Sequence, residues 1–189
     1  MLDVIIVGGG PAGLSAALIL GRARRQVVLC DSGEPRNAAS RSLHGFLTRD
    51  GVDPAELRRM AQTELLQYGT VELRSGRVVD AERRDRCFEV AFDDGSRVQS
   101  RILLLATGVV DRLPAVPGIE EFYGRGVHHC PYCDGWEAKD APIAVYGRGK
   151  RGFGLALELK QWSHNITLCT DGPTPVSYTH LTLPTILRV

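Results

Sequence analysis

The sequence has no surplus of charge: 23 Lys and Arg against 22 Asp and Glu leave a formal net charge of +1 over 189 residues. A chain this close to neutral has no field to draw a polyanion, so nucleic acid is not an expected partner. It also lacks a long apolar run. The longest, residues 102–106, is strand-sized and far short of a membrane span, so no membrane is expected either. The N-terminus has no basic segment and enters a strand-like run directly, which is not the pattern of a secretory signal. Cysteine is sparse: Cys30, Cys87 and Cys169 stand apart, and only Cys130 and Cys133 are close. That is not a secreted disulfide framework, and the cytoplasm is the expected compartment. Lysine is scarce too, with only Lys139, Lys150 and Lys160, so arginine carries the basic charge.

What is present is an ordinary 43% of hydrophobic residues and three glycine- or cysteine-marked stretches in a telling order. Residues 2–7 are an apolar run that ends in glycines and reads as a buried parallel strand. A helix is expected over 11–24 and a second strand over 26–30, ending in Asp31. Gly8, Gly10 and Gly13 have the spacing of the Rossmann dinucleotide fingerprint. The first allows a tight turn, the second lets the backbone approach a pyrophosphate, and the third lets helix and strand pack closely. Pro11 and Ala12 open the helix, whose amides would face the phosphates, and Asp31 is placed to accept from a ribose hydroxyl. Residues 32–52 form a long polar loop containing Asn37 and His44, of the kind that is usually functional. Asp53, Pro54 and Glu56 then predict a capping box and a helix running to about 68.

Residues 71–79, 87–92 and 97–99 alternate as strands, with a turn at Asp94-Gly95, and predict a short antiparallel insertion before a return strand over 102–105. Ala106-Thr107-Gly108 ends that strand, and residues 111–118 read as a linker. Cys130-Pro131-Tyr132-Cys133-Asp134 follows, with proline suited to a first helical turn and Cys130 at its N-cap, a setting that lowers a thiol pKa. A second strand–glycine–helix–strand unit opens at 143–146, with Gly147, Gly149 and Gly152 in its turn. The expected fold class is therefore α/β. A Rossmann-like domain over 1–113 with a small antiparallel insertion precedes an incomplete second Rossmann-like domain over 114–174.

Four markers together resemble the low-molecular-weight thioredoxin reductase family of pyridine nucleotide-disulfide oxidoreductases. They are Gly8-x-Gly10-x-x-Gly13, Ala106-Thr107-Gly108, Cys130-x-x-Cys133-Asp134-Gly135 and Gly147-x-Gly149. The resemblance covers roughly residues 2–172. It implies FAD on the first domain, with Gly8, Gly10, Pro11, Ala12, Gly13, Asp31, Asn37, His44, Val79, Ala106, Thr107 and Gly108 as its expected contacts. It implies NADH or NADPH on the second domain at Gly147, Gly149 and Gly152. By the same resemblance Cys133 faces the flavin, Cys130 attacks the substrate disulfide, and Asp134 gives and takes the proton. A thioredoxin-like protein or a small disulfide or dithiol is the implied substrate, with oxygen as acceptor in the alternative dithiol oxidase, and a homodimer the implied full-length assembly.

Two departures qualify this. Residues 35–50 lack the Gly-Gly-Gln-Leu stretch usual in true thioredoxin reductases, and Cys-Pro-Tyr-Cys-Asp-Gly-Trp looks more like a side branch that includes oxidases of small-molecule dithiols. Where the family places His-Arg-Arg for the NADP 2′-phosphate, this chain has Thr170-Asp171-Gly172, and an acid there favours NADH. Other readings of the centre are a glutaredoxin motif, a zinc site with His128 and His129, and a flavin-binding redox sensor without turnover. The first is disfavoured by the position deep in the chain, and the second by the lack of another Cys-x-x-Cys. The third leaves the second nucleotide fingerprint without a use. No metal is expected.

Residues 175–185 read as an alternating strand, yet they match in register a translation of the transposase end and adapter used to build sequencing libraries. On that reading 175–189 are foreign, should find no packing partner, and the fragment should bind FAD poorly and show no turnover.

Overall fold

The computed structural model describes residues 1–170 and the strand pairing of 185–188; expectations that fall on 171–184 and 189, that for Asp171 among them, lie outside the described residues. Contacts divide the chain into two compact units. One comprises Met1–Leu43 and Gly51–Gly126, the other His44–Asp50 and Val127–Val189.

The first unit opens with β1 (Leu2–Val7), α1 (Pro11–Arg22), β2 (Val27–Asp31), α2 (Pro54–Leu65) and β3 (Val71–Ser75). It continues with β4 (Val78–Arg84), β5 (Cys87–Phe92), β6 (Arg97–Leu105) and the short α3 (Ile119–Phe122). The strands make one sheet in the order β3-β2-β1-β6-β5-β4. β1 lies parallel to β2 on one side and to β6 on the other, which makes the carboxyl end of β1 a topological switch point. The continuous apolar run of β1 is explained by cover on both faces. Val4 and Ile6 pack with Leu14, Ala17, Val27, Leu29 and Leu65 on the helical side. Ile5 packs with Val28, Cys30, Val90 and Phe92 on the other. Each such fully buried aliphatic side chain stabilises the fold by about 1.5–3 kcal/mol.

Two separate strands over 97–99 and 102–105 were expected; one continuous strand is found. β6 pairs antiparallel with β5 from Arg97 to Ser100, and parallel with β1 from Ser100 to Leu105, so the two ladders overlap only at Ser100. Ser100 is fully buried, and its hydroxyl donates to the Ile102 carbonyl at 2.7 Å, which satisfies a polar group that the crossover would otherwise strand. The antiparallel β4–β5 insertion thus grows directly from the return strand and lends Val90 and Phe92 to the core. The capping box at α2 is half made. Asp53 accepts from the Ala55 and Glu56 amides at 2.8 and 3.1 Å. The Glu56 carboxylate instead takes the Arg59 guanidinium at 2.7 and 2.5 Å, because a charged fork one turn on outcompetes a neutral amide.

The second unit contains α4 (Pro131–Asp134), β7 (Ile143–Tyr146), α5 (Gly149–Leu159), β8 (Ile166–Thr170) and β9 (Thr185–Arg188). Its parallel sheet runs β7-β8-β9, and Val145, Ala156, Leu159, Ile166 and Leu168 form its core. The expectation that 175–189 lack a packing partner fails at its end: β9 pairs with β8 from Thr167↔Thr185 to Thr170↔Arg188. An unpaired strand edge presents a row of donors and acceptors to any extended segment within reach, which is the physical reason. Among the described residues no helix is long and apolar enough to cross a membrane.

Candidate active site

The glycine turn after β1 is built by close approaches that only glycine allows. Gly8 has φ +116°, and a Cβ there would overlap the Ala106 carbonyl oxygen. A Cβ on Gly13 would overlap the Gly8 carbonyl oxygen and lie 3.3 Å from Ile6 Cγ2. Gly10 is different: a Cβ there would meet nothing within 4 Å, so its outer side is open. Gly10 is also the N-cap of α1. It supplies no capping side chain, Pro11 is at N1, and the first turn holds no acid. Pro11 and Ala12 are exposed. The helix therefore presents free amides and the positive end of its dipole to that open side, the arrangement that holds a phosphate.

Asp31 closes β2 beside this turn, since a Cβ on Gly9 would overlap its carboxylate. The Asp31 carboxylate accepts from the Gly33 amide at 3.0 Å and from Arg58 Nη2 at 2.5 Å. Arg58 comes from α2, and its Nε is buried without a hydrogen-bond partner. Sequence reasoning passed over Arg58, and a contact spanning 27 residues leaves no local signal. A Gly76 amide bond to the Asp31 carbonyl, 3.0 Å, brings the chain just before Val79 to the same end of the sheet. Val79 itself is 59% exposed. Ala106 continues β6 by donating to the Val7 carbonyl at 2.8 Å, while Thr107 and Gly108 beyond it are exposed, Gly108 with φ +66°. Gly8, Asp31 and Ala106 are thus gathered at the carboxyl ends of β1, β2 and β6.

Asn37 sits half-buried in a turn of the following loop, its carbonyl accepting from Ser40 N–H at 3.1 Å. A second missed cluster fastens that loop. Arg36 grips Asp111 through Nε at 2.8 Å and Nη2 at 2.6 Å, and the Tyr123 hydroxyl donates to the same carboxylate at 2.6 Å. His44 belongs to the second unit, with Nδ1 3.7 Å from Asp50 and Nε2 3.5 Å from Glu137.

In the second unit Cys130 and Cys133 form a disulfide with Cα atoms 5.4 Å apart. Cys130 is the N-cap of α4 and Pro131 its first residue, as expected. The Cys130 carbonyl accepts from both the Cys133 and Asp134 amides, at 3.2 and 3.3 Å, which winds the turn tightly. Gly135 is buried, and a Cβ there would press to 2.9 Å on the Trp162 ring, so the turn is seated on α5's end. Cys133 is exposed and Cys130 half-buried. Tyr132 meets Trp162 edge-on at 5.3 Å, and its hydrogen bond to Glu158 holds the phenol above its ordinary pKa. Asp134 Oδ1 lies 3.2 Å from His128 Nδ1. Trp136 is exposed beneath the Lys139 ammonium, 3.7 Å from the ring centroid. Among the described residues no group of three His, Cys, Asp or Glu side chains is gathered to hold a metal.

The second glycine turn repeats the logic of the first. A Cβ on Gly147 would come within 2.8 Å of Gly152 Cα, and one on Gly152 would overlap the Gly147 carbonyl. Gly149 has φ +59°, and α5 begins without a capping side chain or an acid in its first turn.

Residues 2–183 match the family model described as pyridine nucleotide-disulphide oxidoreductase. The chain is 36% identical over 176 residues to a probable thioredoxin reductase of Arthroderma benhamiae, covering 90% of this chain and 44% of that protein. Among solved structures it is similar to the putative thioredoxin reductase TrxB of Bacillus anthracis. There the identity is 36%, the TM-score 0.89, and the coverage 94% of this chain and 60% of that one. It is also similar to an oxidoreductase of Agrobacterium tumefaciens, at 43% identity and TM-score 0.86, covering 90% of this chain and 58% of that one. The chain spans about half the length of the curated relatives it matches.

Proposed function

The chain belongs to the pyridine nucleotide-disulphide oxidoreductase family, and from that premise we propose that it carries electrons as a thioredoxin reductase does, from NAD(P)H through FAD to the Cys130–Cys133 pair and on to a disulfide substrate. The observation that carries the proposal is the disulfide at the head of a short helical turn, in a chain that also builds two strand-to-helix turns walled by glycines. The first turn fits FAD: Gly10 leaves room for a pyrophosphate, the α1 amides face it, and Asp31 stands where a ribose hydroxyl would need an acceptor. Gly8, Pro11, Ala12, Gly13, Asn37, Val79, Ala106, Thr107 and Gly108 would complete that site. Gly147, Gly149 and Gly152 would hold the nicotinamide nucleotide.

Bound FAD would supply the two-electron step between a hydride donor and a disulfide. The chain's own part is to expose Cys133 toward the flavin, to keep Cys130 for attack on the substrate, and to move a proton at the Asp134 carboxyl. A thioredoxin-like protein or a small disulfide is the proposed substrate, and a homodimer the proposed full-length assembly. The domains would divide as 1–113 for FAD and 114–174 for the nicotinamide nucleotide.

The test is a visible spectrum of the FAD-loaded full-length protein titrated with NADH and then NADPH. Cys130→Ser should leave Cys133 able to give a long-wavelength thiolate-to-flavin band, and Cys133→Ser should abolish it. A band confined to Cys133→Ser would invert the roles, and no bleaching by either nucleotide would end the proposal.

A further inference from the structure

We propose that His128 is a positioning residue for Asp134 and that the two form a shared proton reservoir for the Cys130–Cys133 pair. This rests on the reading above, in which the pair cycles between disulfide and dithiol with Asp134 as its proton donor. In sequence the two side chains flank the pair. The turn brings them together: both amides that fold back on the Cys130 carbonyl carry Asp134 over the start of the helix, and His128 stands two residues before it. The result is a 3.2 Å contact between imidazole Nδ1 and carboxylate Oδ1, at side-chain exposures of 32% and 22%. That is enough burial to hold one geometry and enough solvent contact to exchange protons.

The chemistry gives the contact a use. When a small dithiol reduces the pair, its thiolate attacks one sulfur, the S–S bond breaks, and the other sulfur departs with the bonding electrons. The donor then closes to a cyclic disulfide. Overall one disulfide is reduced, one dithiol is oxidised, and two protons pass from the donor's thiols to the protein's. A lone carboxyl can hand over one proton and is then an anion awaiting recharge. With His128 Nδ1 in contact with that carboxylate, a replacement proton would come through the imidazole, which exchanges with solvent. In the oxidising direction the carboxylate takes a thiol proton and the imidazole removes it. The other titratable groups recorded around the motif are engaged in their own contacts: Glu137 with His44, Lys139 over Trp136, and Glu158 with Tyr132. His129 adjoins in sequence and makes a contact of its own.

The experiment measures the rate of disulfide reduction by dithiothreitol across pH, in the whole chain, for wild type, His128→Ala, His128→Asn, Asp134→Asn and the double variant His128→Ala/Asp134→Asn. His128→Ala should slow reduction at neutral pH by roughly tenfold, a fraction of what a directly acting acid supplies. His128→Asn keeps a donor at the Nδ1 position. It should recover most of the rate but flatten its pH dependence, and it guards against a misfolded alanine variant. The double variant should be no slower than Asp134→Asn alone, because His128 acts through Asp134. Three results would overturn the proposal: a His128→Ala profile superimposed on wild type, full recovery of the pH dependence by Asn, or additive losses in the double variant. The assay contains neither flavin nor nicotinamide nucleotide, so failure here and failure of the electron path are read from different experiments.

Discussion

Gly10 and Gly13 stand three residues apart in one fingerprint, yet the structure predicts opposite consequences for adding a methyl group to each. At Gly13 the new Cβ would overlap the Gly8 carbonyl oxygen and crowd Ile6 Cγ2 at 3.3 Å. The obstacle is backbone, so the turn itself must move; overpacking of this kind costs about 1–3 kcal/mol. Alanine at a helical position returns about 0.5–1 kcal/mol of propensity, leaving a net loss of up to about 2.5 kcal/mol. That corresponds to a fall in Tm of up to about 10 °C for a chain of this size. At Gly10 nothing lies within 4 Å, so Gly10→Ala meets no clash and should cost the fold only about 0.5–1 kcal/mol, the gap between glycine and alanine at an N-cap. Its methyl would instead fill the open space proposed for a pyrophosphate. Affinity for ADP, the half of FAD that these residues would hold, should fall tenfold or more, about 1.4 kcal/mol. Urea denaturation and ADP titration by calorimetry, run on both variants, separate the two effects. A Gly13→Ala protein as stable as wild type would refute the packing argument, and unchanged ADP affinity in Gly10→Ala would refute the phosphate assignment.

Asp31→Ala should destabilise more than Arg58→Ala, by about 1–2 kcal/mol, because it strands a half-buried guanidinium whose Nε already lacks a partner; equal losses in denaturation would sink this. Burial pushes the Cys30 thiol from 9.0 up to about 11, with Arg74 opposing, so the unfolded chain loses this proton first. The associated stability is full below pH 9 and is lost as pH rises toward 11, and Cys30→Ala should lose less stability than wild type over that interval. Equal losses across it would count against the assignment. Asp171, from sequence alone, predicts for the full-length protein a kcat/KM for NADH at least equal to that for NADPH, and Asp171→Arg should move the preference toward NADPH by about 1–3 kcal/mol. A wild-type preference of a hundredfold or more for NADPH would refute it.

The local elements were legible because their causes are local. A covered strand reads as unbroken Val-Ile, a helix start as Gly10-Pro11 or Asp53-Pro54, and the dithiol turn as Cys130-Pro131. The glycine spacing carried the tight turns for the same reason: a positive φ, as at Gly8 and Gly149, belongs to the residue itself. What spans the chain was not legible. That β6 serves two ladders and pivots at Ser100 depends on where β1 and β5 already lie. Glu56 turned to Arg59 because a charged partner was within reach, a competition the capping pattern does not contain. Arg58 reaching Asp31, Arg36 and Tyr123 sharing Asp111, and His128 folding back to Asp134 are meetings of side chains from separate elements. Their partners are chosen by distance and burial, which exist only after the chain has folded.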